Sequence, residues 1–151
     1  MEKFKVLWID DESHRIEYLF KNLERNRFEF YKVRNEKEAL QEMDNLDSYD
    51  LVILDIILPE GKDYTEQEIK NGAYKHRDYI GLDVLEVLKQ RNQKKIPIII
   101  LTIVRETGIV RTLKKMAKDP QYSIYKIFTK GILENKEVAY CIYSALKIKA
   151  K

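Results

Sequence analysis

The 151-residue chain predicts an α/β architecture, in which five parallel strands form one sheet with helices on both faces. Short apolar runs alternate with stretches of helical spacing throughout its length, the pattern of repeated strand–helix units. Two of the runs, Leu51 to Leu54 and Ile96 to Thr102, are almost unbroken by polar residues, as in parallel strands buried on both faces. Several strands also end in carboxylates or other polar groups, at the edge where open parallel sheets bind ligands.

Phe4 to Ile9 is the first strand, stopped by three consecutive acids, Asp10, Asp11 and Glu12. Ser13 is the expected N-cap of the first helix, whose apolar positions are Ile16, Leu19, Phe20 and Leu23. Phe28 to Val33 is a shorter, more polar strand, which places it at a sheet edge. Glu36 to Leu46 reads as a second helix with Ala39, Leu40 and Met43 turned inward. The third strand, Leu51 to Leu54, ends at Asp55, and Pro59 stops regular structure soon after. Gly81 to Lys89 opens a third helix burying Leu82, Leu85 and Leu88. The fourth strand has Pro97 at its start, where a missing backbone donor is tolerated. Ile109, Leu113, Met116 and Ala117 mark a fourth helix, closed by Asp119-Pro120. Ser123 to Thr129 is the fifth strand, and from about Asn135 a last helix turns Val138, Ile142, Ala145 and Leu146 inward. Right-handed crossovers leave few topologies for five such units, and a flavodoxin-like order 2-1-3-4-5 is the natural one.

Hydrophobic residues make up 44% of the chain, enough for one compact domain spanning 1–151 with a sizeable core. The longest apolar run, Ile96 to Val104, is far too short to cross a bilayer, and no secretory signal precedes the first strand. The single cysteine, Cys141, rules out an internal disulfide and reads as a packed hydrophobe in a reducing, cytoplasmic setting. A net charge of +3 is too small to argue for nucleic acid. The basic excess lies after residue 110, and reads as a solvated helix surface able to steer an acidic partner.

Asp10 and Asp11 end the first strand, Asp55 the third, Thr102 the fourth, and Lys130 follows the fifth. In a parallel sheet these ends share one edge, so the five residues can converge. Three neighbouring carboxylates repel, and could not all stay ionised without a cation. Their oxygens suit a hard divalent ion, above all Mg2+. The charges then balance, because the metal and Lys130 together offset the three acids.

With Ile9 to Glu12, Leu54 to Pro59, Gly81 to Glu86, Ile98 to Thr102 and Phe128 to Lys130 in this order, the sequence strongly resembles the response-regulator receiver domain of two-component signalling over nearly its whole length. That resemblance implies that Asp55 is the phosphoacceptor and that Asp10, Asp11 and Asp55 hold Mg2+ with the backbone carbonyl of Ile57. It implies that Thr102 hydrogen-bonds the phosphoryl group and Lys130 pairs with it. It further implies a histidine kinase or histidine phosphotransfer protein as donor, and output through contact with a downstream protein. By the same reading the chain is a phosphorylated acceptor rather than an enzyme, at most a slow autophosphatase, with no membrane or nucleic-acid partner.

The sequence also departs from the family pattern. The usual glycine stands eight residues after the acceptor, whereas Gly81 is 26 after Asp55, so about 60–80 reads as an insertion. Its Thr65-x-x-Glu68 and Asn71-Gly72 suggest one short helical turn, and His76 reads as a solvated loop residue. Gly131 stands where the family has proline, Ile103 follows Thr102 where Ala or Gly is usual, and Ile127 occupies the aromatic switch position, with Tyr125 nearby. Ile57 and Val104 offer no hydrogen bond to an attacking water and Ile103 is expected to crowd it, which predicts slow loss of the phosphoryl group. A receiver-fold interaction module that works without phosphorylation is the alternative. A haloacid-dehalogenase-type hydrolase needs a second acid two residues after its nucleophile, where this chain has Ile57.

Overall fold

A computed structural model describes residues 2–58, 79–130 and 135–148. It contains one five-stranded sheet in the order β2-β1-β3-β4-β5, made of β1 (Phe4–Ile9), β2 (Phe28–Val33), β3 (Leu51–Leu54), β4 (Ile98–Thr102) and β5 (Ile124–Thr129). Every pairing is parallel, and β2 is an edge strand as its polarity predicts. The flavodoxin-like order expected from the sequence is therefore the order found.

Alternation along the strands divides the core into two layers. Leu7, Ile9, Val52, Leu54, Ile98 and Ile100 face one side. They meet residues of α2 (Glu36–Glu42), α3 (Ile80–Arg91) and α4 (Thr107–Lys118) there. Val6, Trp8, Leu51, Ile53, Ile99 and Leu101 face the other side, against Leu19, Phe20 and the apolar face of α5 (Asn135–Ala145). Cys141 is buried in this second layer, and burial pushes its thiol up to about 11, so it packs as a hydrophobe.

Four local expectations are corrected. The first helix is only a turn, α1 (Ser13–Ile16), continued by a tighter 3-10 segment, Glu17–Phe20. Ser13 does not cap it: Ser13 is buried inside the turn and Glu12 occupies the capping position, with no side-chain cap. The reason is Asp10, whose Oδ1 accepts the Glu12 N–H at 2.8 Å and sets the turn one residue earlier. The helix expected over 36–46 tightens to 3-10 form from Met43 to Ser48. Asn35 caps its start by accepting the Glu38 N–H at 2.8 Å. Leu40, expected inside, is 41% exposed, because Ala39, Met43 and Leu46 fill the inward positions. The helical turn expected within 60–80, His76 and the turn at Gly131 lie outside the described residues.

Candidate functional site

The carboxyl ends of β1, β3, β4 and β5 bring Asp10, Asp55, Thr102 and Lys130 into one buried group. Backbone bonds fix them there. The Asp55 N–H donates to the Ile9 carbonyl at 2.9 Å, and the Lys130 N–H to the Thr102 carbonyl at 2.9 Å. Each strand therefore extends its ladder by one residue into the site, which is why short-range sequence order translates into convergent side chains.

Lys130 lies between the two buried acids. Its Nζ is 2.8 Å from Asp55 Oδ2, as a hydrogen-bond donor, and 2.8 Å from Asp10 Oδ2. The Asp55 contact is the better aligned hydrogen bond, and the Lys130 ammonium is the group that faces the buried Asp10 Oδ2. The other Asp55 oxygen accepts the Ile57 N–H at 3.1 Å. Burial alone would pull the Lys130 ammonium down, but Asp55 and Asp10 more than offset it and its pKa is raised. Burial is also the main influence on Asp55. It outweighs the attraction of Lys130, and with repulsion from Asp10 it lifts the carboxyl to about 6. Asp11 is exposed, yet burial around its carboxyl and the neighbouring Asp10 and Glu12 raise it too.

Asp10, Asp11 and Asp55 each present one oxygen within 4.8 Å of the others. An all-oxygen group of three acids, whose charge the single Lys130 ammonium only partly offsets, fits a hard divalent cation of the magnesium class. The donor set contains no sulfur or imidazole, which separates it from zinc sites.

Thr102 is buried beside these acids on the adjoining strand, and its Oγ1 accepts the Val104 N–H at 3.3 Å. Ile103 is 53% exposed and Val104 is buried in the first core layer. Ile127 is half-buried against the same layer, while Tyr125 is exposed on the outer strand.

Sequence spacing did not show what Gly81 does. Its N–H donates to the Ile56 carbonyl at 2.9 Å, and a Cβ there would lie 2.4 Å from both the Asp55 carbonyl oxygen and Ile56 Cα. A side chain cannot fit, so glycine is required for α3 to begin against the Asp55 loop. The long spacing from Asp55 thus places the insertion before the helix and preserves the glycine contact. Reasoning from sequence also missed the hydrogen bond from the Tyr79 hydroxyl to Glu106 Oε2, which joins residues 27 positions apart.

No protein-family model matches the chain. No curated protein sequence matches it either. Solved structures do. A signal receiver domain of a two-component histidine kinase from Clostridium thermocellum is similar at 25% identity, with a TM-score of 0.68 over 96% of this chain and 98% of that one. A CheY-like response regulator receiver domain protein from Methanospirillum hungatei gives 17% identity and a TM-score of 0.66, over 97% and 95% of the two chains. The non-phosphorylated HemR receiver domain of Leptospira biflexa gives 20% and 0.62, over 99% and 98%. The chain therefore has the fold of response-regulator receiver domains across nearly its whole length.

Proposed function

We propose that the protein is a phosphoacceptor receiver of a two-component or phosphorelay system. On this reading it takes a phosphoryl group from a phosphohistidine onto Asp55 and signals by protein contact. The observation that supports it most is the buried group at the sheet edge, where Lys130 sits 2.8 Å from both Asp10 and Asp55 and Asp11 lies alongside. A purely structural strand end has no need of three clustered acids, whose mutual repulsion costs stability.

The Asp55 carboxylate is the nucleophile. One of its oxygens attacks phosphorus, the phosphorus–nitrogen bond of the donor breaks, and the imidazole leaves with the bonding electrons and takes up a proton. Lys130 then pairs with the incoming phosphoryl oxygens, and the Thr102 hydroxyl turns to donate to them. Magnesium, held by Asp10, Asp11 and Asp55 with the Ile57 carbonyl, would supply charge neutralisation of the crowded oxygens. Asp10 and Asp11 supply the fixed negative charge that binds such an ion, and burial of the site excludes bulk water from Asp55. Phosphorylation replaces a carboxylate of −1 with a group of about −2, so the site's electrostatics change and the loop after Thr102 responds. The chain acts as an acceptor that is reset by hydrolysis, in the cytoplasm with its kinase.

Phosphoramidate, a small phosphorus–nitrogen donor, tests the chemistry. With magnesium it is expected to phosphorylate the wild type, and hydroxylamine is expected to strip the label as it does acyl phosphates. Absence of a hydroxylamine-sensitive label would favour the interaction module that works without phosphorylation.

A further inference from the structure

Tyr79 and Glu106 are the residues immediately before α3 and α4, and each occupies the N-cap position of its helix. Neither uses its side chain as a cap; the Tyr79 hydroxyl instead donates to the Glu106 carboxylate. The bond joins the start of α3, which follows β3 and Asp55 in the chain, to the end of the loop that leaves β4 at Thr102. The Tyr79 ring is anchored by packing against the first core layer, and Glu106 is an exposed residue at the end of the loop from residue 103 to 106, in which Val104 alone is buried.

We infer that this hydrogen bond is a latch that holds the β4–α4 loop in its unphosphorylated arrangement, and that Tyr79 is the positioning residue that sets the balance between the two states of the switch. The inference rests on the phosphoacceptor reading of Asp55. In the present arrangement Thr102 Oγ1 accepts the Val104 N–H. When that hydroxyl turns towards a phosphoryl group on Asp55, a buried backbone donor loses its partner. Residues 103 to 106 must shift to satisfy it, and Glu106 moves with them. Tyr79 cannot follow, because α3 starts at the next residue and Gly81, in its first turn, is seated on the Asp55–Ile56 backbone. The latch therefore opens in the phosphorylated state and opposes it beforehand. Because Ile127 occupies the position three before Lys130, the loop has no aromatic ring there to work against, and the restraint comes from the α3 side instead.

By linkage, a contact present in only one state weakens any ligand that selects the other. Beryllofluoride with magnesium, a mimic of the acyl phosphate, is the probe. Tyr79→Phe keeps the ring and removes only the donor, and is expected to lower the half-saturating beryllofluoride concentration about three- to tenfold, the net worth of one such bond. Glu106→Ala, on an exposed side chain, is expected to give the same gain, and combining the two should add nothing further. Glu106→Gln keeps an acceptor oxygen and should stay within about twofold of wild type. Magnesium affinity without beryllofluoride should not change in any of them, which a general disturbance of the site would not spare. A Tyr79→Phe curve that superimposes on the wild type, or gains that add in the double variant, overturns the latch. If the wild type itself fails to bind beryllofluoride, the phosphoacceptor reading falls, and the latch with it.

Discussion

The N–H of Gly81 donates to the carbonyl of Ile56 at 2.9 Å, and its Cα sits so close that an added Cβ would fall 2.4 Å from Ile56 Cα. The start of α3 is thereby seated on the backbone that carries Asp55. Neither backbone can yield without displacing the strand end, so Gly81→Ala is expected to destabilise the domain by about 3 kcal/mol, the upper end for overpacking. Chemical denaturation checks this, with Gly108→Ala as control, since a Cβ at Gly108 meets nothing within 4 Å.

Asp55 gives the metal-free domain a defined pH dependence. Its folded-state pKa of about 6 lies above the ordinary value of 3.8. A raised carboxyl contributes stability that is fully present below the unfolded pKa and is lost as pH rises through the folded one. In a chelator, the stability advantage of Asp55→Asn over wild type should therefore grow between about pH 4 and 7, reaching of order 1–3 kcal/mol. A difference that is flat with pH in thermal melts would count against the burial and crowding described for Asp55.

Removal of Lys130 leaves Asp10 and Asp55 buried without their shared cation. Lys130→Met is expected to cost about 3–5 kcal/mol in metal-free buffer, as for other broken buried pairs. Part of that loss should return on adding magnesium, because the acid cluster can then draw on the ion. Thermal melts with and without magnesium make the comparison. An equal loss in both conditions would show Lys130 to be a packing residue alone.

Hydrolysis of phospho-Asp55 is expected to be slow, now on narrower grounds than sequence alone suggested. Ile57 lies two residues after the acceptor and offers no hydrogen bond to a water. Val104 is buried in the core, so a charged replacement there would damage packing rather than guide water. Ile57→Asn is thus the informative change, and it should shorten the phosphoryl lifetime about tenfold, less than the roughly 100-fold or more of a full general acid–base group. Following the phosphorylated mass with time checks it.

Strand positions and the convergence of Asp10, Asp55, Thr102 and Lys130 were legible because both rest on local pattern. Leu51 to Leu54 is apolar on both faces and is a central strand, and the polar residues at four strand ends converge because the sheet is parallel. The helix details were not. Leu40 fits the helical period, but Ala39, Met43 and Leu46 already fill the inward stripe and leave Leu40 at its margin. Ser13 is a favoured cap type, but the carboxylate of Asp10 is two residues ahead of Glu12 and takes its N–H instead. The Gly81 and Tyr79 contacts join segments distant in the chain, so no local period reports them.

Intact-mass measurement after incubation with acetyl phosphate and magnesium tests the central claim most directly. The wild type should gain a single phosphoryl group, Asp11→Ala should gain it more slowly, and Asp55→Ala should gain none. A phosphoryl group still carried by Asp55→Ala, or none on the wild type with magnesium in excess, would contradict the assignment of Asp55 as the acceptor.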